Sequence, residues 1–280
     1  MTQPDPIRPA PDAPPTDGPA GGDHPKARPA RPAGRRRRRI ALATLLLAIL
    51  AALVWYVDDG HELLWPKRWG VVAQGRIYRS GEPTLPATRR VVQRLGIRTI
   101  IDLGAHAPGS AEEHAAQDMA RRLGVTRYRF GLIGDATGDP NDYVLALRIM
   151  NDPAHQPVWV HCAAGSERTG CLVALHRVIL DGWDLDRAYA ETHRYDHHDN
   201  PFLRPMLERW LEPIRQAYLH GGTIPYDPAR DALGGAGRGE TNGPRLGPFD
   251  ALTLPPPPQA SDAQPAGPVE PGTPDRDPGS

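Results

Sequence analysis

The chain has 280 residues, and its 33 lysines and arginines balance 33 aspartates and glutamates, which excludes a global electrostatic pull toward nucleic acid. Its 33 prolines and 29 glycines crowd toward the two ends, so the folded part is smaller than the length suggests.

Residues 1 to about 34 and about 225 to 280 bury too little apolar surface to offset chain entropy, and composition reads both as disordered tails. A repeated PxxP-plus-basic pattern does not stand out in them, so they read as spacers rather than ligands for a partner. Between the first tail and the rest, Arg35 to Arg39 abut the uncharged run IALATLLLAILAALVWYV, residues 40–57. That run is long enough for a helix to cross a hydrocarbon core of about 30 Å. Trp55 and Tyr56 suit an interface, and Asp58, Asp59 and Glu62 follow. The charge bias therefore predicts a single-pass anchor with the N-terminus in the cytoplasm and everything beyond residue 57 outside it. A cleaved signal peptide is the less favoured reading, because no small-x-small cleavage pattern follows the apolar run.

After a linker over 58–69, residues 70–220 alternate strand and helix signals. Val71 and Val72 lead through Gln74-Gly75 into RIYRS, a hairpin closed by Gly81 and Pro83. Val91, Val92 and Leu95 have helical spacing before Gly96, and IRTIIDLG reads as a buried strand. Ser110 with Glu113 forms a capping-box signal for a helix to Leu123. A strand near VTRYRFGL, a helix from about Pro140 to Asn151 and a strand PVWVHC over 157–162 follow. Thr169 to Leu180, Leu185 to Thr192 and Phe202 to Leu219 carry helical spacing. The predicted class is α/β, a central, mostly parallel sheet flanked by helices and preceded by one transmembrane helix.

The stretch VWVHCAAGSERTG, residues 158–170, places a cysteine where a buried strand ends and a helix begins. Helix N-termini offer unpaired N–H groups to anions, and ligands of open α/β sheets bind at the carboxyl ends of strands. Five small or polar residues separate Cys162 from Arg168. Such a loop can turn the N–H groups of Ala163, Ala164, Gly165, Ser166, Glu167 and Arg168 toward one point. Gly165 permits the turn, Arg168 can grip two phosphoryl oxygens in a plane, and the positive field favours a thiolate at Cys162.

These residues resemble the HCxxGxxR[ST] loop of the cysteine-dependent protein tyrosine and dual-specificity phosphatases, with His161, Cys162, Gly165, Arg168 and Thr169 in place. RIYRSGEP and RTGCLVALHRVILDGW extend the resemblance, over about residues 70–215, to the small atypical dual-specificity-like branch. The resemblance implies a metal-free, two-step phosphoryl transfer without a cofactor. Cys162 would form a cysteinyl-phosphate, Arg168 and the loop amides would hold the oxygens, Thr169 would assist the sulfur and His161 would shape the loop. The family's general acid lies on a loop that here reads GLIGDATGDPND. Asp135 is the favoured residue and Asp139 the alternative, since Asp139 precedes Pro140 and can cap a helix.

A phosphorylated protein is the default substrate. Glu167 and the absence of loop lysines weigh against inositol phosphates and phosphoinositides, the alternative class, and Gly104-Ala105 stands where many relatives carry an arginine. A catalytically inactive phosphate-binding module and a rhodanese-like sulfurtransferase are further readings; the Arg168-Thr169 pair and His161 argue against the latter. Cys171 reads as a core residue, and a Cys162–Cys171 disulfide as the less favoured possibility. His193 and His197, four residues apart and followed by His198 and Asp199, could bind zinc but read as a polar helix end.

Overall fold

The computed structural model describes residues 33–58, 60–197, 200–231, 233 and 243–251. The chain divides into two compact units, Met1–Ala52 and Leu53–Ser280. The expected span over 40–57 lies in helix α1 (Ala33–Asp58), where Ile40, Leu42, Leu45, Leu46 and Leu47 are exposed. Among the described residues, however, no helix is long and apolar enough to cross a membrane.

Five strands form the sheet of the second unit. They are β1 (Gly70–Ala73), β2 (Ile77–Ser80), β3 (Thr99–Asp102), β4 (Thr126–Arg129) and β5 (Val158–His161), in the order β1-β2-β5-β3-β4. Only the β1–β2 hairpin is antiparallel. β5 inserts between β2 and β3, and the register aligns Ser80, His161 and Asp102 in one row at the strands' carboxyl ends. Val158, Trp159, Val160 and His161 are all buried, as a central parallel strand covered on both faces requires.

Helices α2 (Leu85–Leu95) and α3 (Ala111–Leu123) cover one face, where Tyr78, Ile100 and Trp159 meet Val91 and Val92. Thr84 caps α2 by accepting from the Ala87 N–H, and Gly96 ends it at φ 64°. Ser110 caps α3 as expected, but only half of the predicted box forms. The Glu113 carboxylate turns inward to Arg127 instead, at 2.7 Å, because a buried guanidinium is the stronger partner for a carboxylate. The other face carries α4 (Pro140–Asn151), α5 (Glu167–Ile179), α6 (Leu185–Thr192) and α7 (Leu203–His220), packed around Ile101, Val158 and Val160.

One segment departs from its expectation. Part of the region read as a disordered tail is ordered: α8 (Pro228–Asp231) is helical, and Leu246 exchanges two backbone hydrogen bonds with Arg129, at 2.7 and 3.0 Å. Phe249 then packs edge-on against Tyr128 and Phe130. β4 is an edge strand with backbone groups to satisfy, and two apolar residues suffice to dock a stretch that average composition reads as solvent-exposed.

Candidate active site

The link from β5 to α5 forms the site. Cys162 is 1% exposed, and its Sγ accepts the Gly165 N–H at 3.2 Å. Gly165 has φ 87°, and a β-carbon there would come within 2.7 Å of Gly81 Cα, so both the turn and the backbone packing require glycine. Ser166 caps α5 without a side-chain hydrogen bond, which leaves the first N–H groups of that helix available to an anion.

Three consecutive loop carbonyls are held from outside. The Glu82 N–H donates to Ala163 O at 3.0 Å, Arg68 Nη1 donates to Ala164 O at 2.8 Å, and Arg79 Nη2 donates to Gly165 O. Arg79 is 1% exposed, lies 3.6 Å from the Tyr195 ring centroid, and is lowered to about 10 chiefly by burial. Arg68 also pairs with Asp196 at 2.9 Å. Neither arginine is discernible as a site residue from the loop motif, since each lies more than 80 positions away in sequence. The signal for Arg79 was a charged residue inside a strand whose other members are apolar or small.

Arg168 is buried, donating through Nη1 to Leu103 O at 3.0 Å, to Gly104 O and to Leu132 O at 3.5 Å. Its Nε is buried with no partner among the described residues, a donor suited to a phosphoryl oxygen. Beneath it, Asp102 Oδ1 accepts the N–H groups of Gly104 and Ala105, fixing the carbonyls on which Arg168 rests. Burial alone would raise the Asp102 pKa, but His161 and Arg127 and these hydrogen bonds hold it at about 2. Burial lowers His161, with Asp102 pulling the other way. Thr169 is fully buried beside this loop and its Oγ1 has no partner among the described residues. Cys162 and Cys171 are both free thiols, and burial pushes Cys171 up to about 12.

The two acid candidates have different surroundings. Asp139 caps α4, accepting the Asn141 N–H at 2.9 Å, and lies 3.7 Å from Arg245. Asp135 sits earlier on the loop, with Oδ1 accepting the Thr137 N–H and hydroxyl at 3.0 and 2.6 Å. The next residue, Ala136, adopts φ 75°, a strained conformation for a side chain with a β-carbon. Tyr143 braces it by donating its hydroxyl to Ala136 O at 2.7 Å.

Glu167 does not face the cradle as an unpaired charge. Its carboxylate meets His197 Nδ1 at 2.9 Å and accepts from Asn200 Nδ2 at 2.6 Å. The carboxylate is thus turned toward His197 and Asn200. His197 is likewise occupied, between Glu167 and the Tyr189 hydroxyl at 2.9 Å, and packs against the His193 ring. Among the described residues no group of three or more metal-ligating side chains gathers; His198 and Asp199 lie outside them.

A thiol at the end of a buried central strand, with the Gly165 N–H on its sulfur and a buried arginine, Arg168, six residues on in the following helix, is the arrangement of a cysteine-based phosphatase. The model of the tyrosine phosphatase family matches residues 63–216, and the chain belongs to that family. It is 33% identical over 138 residues to inositol diphosphatase DSP5 of Arabidopsis thaliana, covering 48% of this chain and 64% of that protein. It is 30% identical over 157 residues to inositol diphosphatase SIW14 of Saccharomyces cerevisiae, covering 54% and 52%. The match thus spans between half and two thirds of these relatives' length. Among solved structures, the core catalytic domain of the PP-IP phosphatase SIW14 from S. cerevisiae aligns with a TM-score of 0.44 at 27% identity, covering 53% of this chain and 85% of that one.

Proposed function

We propose that this phosphatase acts on inositol diphosphates, rather than on phosphorylated proteins, through a cysteinyl-phosphate on Cys162. The thiolate attacks phosphorus while Arg168 and the loop amides hold the non-bridging oxygens. Asp135 protonates the departing oxygen, and the P–O bond breaks. Water then attacks the phosphorus of the cysteinyl-phosphate, giving a proton to the Asp135 carboxylate, and inorganic phosphate and the thiolate are released.

The observation that carries the substrate class is the pairing of Glu167 with His197 and Asn200, while Arg68 and Arg79 bring guanidinium groups to the outer wall of the loop. The part-exposed Arg68 sets a cation beside the cradle that favours a polyanion even though the loop itself lacks lysine, while the buried Arg79 braces the loop from behind. The names of the relatives support the same class.

Residues 40–57 are proposed to anchor the protein, with the catalytic unit on the far side of the membrane from Arg35 to Arg39; the apolar run and its basic flank support this. Protease accessibility of the catalytic unit in intact cells tests that orientation. The substrate test is phosphate release by the detergent-solubilised full chain from an inositol diphosphate, an inositol monophosphate and a phosphotyrosyl peptide. The inositol diphosphate should show the highest kcat/KM, and Cys162→Ser should abolish release. A phosphotyrosyl peptide turned over equally well overturns the substrate class. Phosphate binding without release from any substrate, para-nitrophenyl phosphate included, points to a binding module instead.

A further inference from the structure

Asn200, which the phosphatase motif does not include, joins the two loops that must cooperate in the reaction. Its Nδ2 donates to Glu167 Oε2 at 2.6 Å and to the backbone oxygen of Asp135 at 2.8 Å. A carboxamide nitrogen has two hydrogens, and both are used. Its Oδ1 accepts the Phe202 N–H at 2.8 Å, which fixes the amide against the start of α7. The arrangement therefore runs from α5, through Glu167 and Asn200, to the peptide of the proposed acid.

Each end of this bridge is independently fixed. Glu167 is the first residue of α5 and is also held by His197, whose far nitrogen meets Tyr189. On the other side, Thr137 holds the Asp135 carboxylate and Tyr143 holds the strained Ala136. Asn200 supplies the connection between the two. A general acid must approach within hydrogen-bond reach of the leaving oxygen, and a displacement of about 1 Å can cost on the order of a hundredfold in rate.

We propose that Asn200 is a positioning residue for proton donation: it registers the Asp135 loop against the phosphate cradle through Glu167. This rests on the reading of Asp135 as the acid. Asn200→Ala deletes both donors, whereas Asn200→Asp preserves size and the Phe202 acceptor but sets a carboxylate against Glu167 and the Asp135 carbonyl. Because Glu167 retains His197 in either variant, the cradle keeps its support.

The test compares phenyl phosphate, a poor leaving group, with para-nitrophenyl phosphate, an activated one, using the detergent-solubilised full chain and thermal unfolding to verify folding. Asn200→Ala and Asn200→Asp should each lower kcat on phenyl phosphate about tenfold and on the activated ester about twofold, with KM little changed. In an Asp135→Asn background, Asn200→Ala should add no further selective loss. Equal losses on both esters, or a selective loss that persists without the Asp135 carboxylate, overturn the positioning role. If Asp135→Asn itself affects both esters equally, the acid assignment fails. A selective Asp135→Asn effect beside an unselective Asn200→Ala effect sinks only the bridge.

Discussion

Replacing Arg127 with methionine should destabilise the catalytic unit severely. The guanidinium is 2% exposed and lies 2.5 Å from Asp102 and 2.7 Å from Glu113, whose side chains are 0% and 3% exposed. Methionine fills much of the space but takes the arginine from Asp102 and leaves Glu113 only Arg129, at 3.4 Å. Removing one partner of a buried ion pair costs about 3–5 kcal/mol. For a domain of roughly 150 residues, each kcal/mol moves Tm by about 2–4 °C, so a fall on the order of 10 °C is expected. Differential scanning calorimetry at neutral pH measures it. Adding Asp102→Asn and Glu113→Gln to Arg127→Met should recover part of the loss, since the stranded charges are then gone. A single variant that unfolds within about 2 °C of the parent would refute the reasoning, because it would mean Asp102 does not depend on the Arg127 cation.

Three further outcomes follow from named contacts. Asp102 is held at about 2 in the fold, below the ordinary 3.8, so its charge stabilises the fold fully above pH 4 to 5, and that contribution, roughly 2–3 kcal/mol, fades as pH falls toward 2. Urea midpoints between pH 6 and 3 should therefore fall less in Asp102→Asn than in the parent; parallel slopes would contradict this. Arg79→Met should lower kcat/KM by about 10- to 100-fold by releasing the Gly165 carbonyl, and phosphate-release kinetics within twofold of the parent would show that the loop holds its shape without it. Ending the chain after residue 242 should expose the β4 edge and uncover Tyr128 and Phe130, costing about 2 kcal/mol and promoting self-association visible by light scattering. A truncated protein that stays equally stable and monodisperse would show the docked segment to be dispensable.

The strand, turn and helix around Cys162 were legible because their signal is local: one strand, one glycine and one arginine within a dozen residues. The boundaries of α4 and α6 were legible for the same reason, since Pro140 marks one start and apolar spacing from Leu185 to Thr192 marks the other. The sheet order was not, because placing β5 between β2 and β3 depends on contacts between strands far apart in sequence. Glu167 shows the limit most clearly. Its position in the loop could be read as an unfavourable charge, but whether that charge faces the cradle depends on His197 and Asn200, about 30 residues away. Arg68, Arg79 and the docked Leu246 escaped for the same reason.

The outward hold on Ala163, Ala164 and Gly165 has a consequence for how the protein can change over time. A peptide plane whose carbonyl is drawn outward turns the following N–H the opposite way, and the Gly165 N–H indeed points to the Cys162 sulfur. Apart from Arg168, the positive field of the cradle therefore resides in oriented main chain. Tolerance to substitution is then inverted relative to proximity. Ala163 and Ala164 can vary with little loss, while Arg79, which stands behind the wall and does not belong to the loop, is as little free to drift as the loop's own Cys162, Gly165 and Arg168.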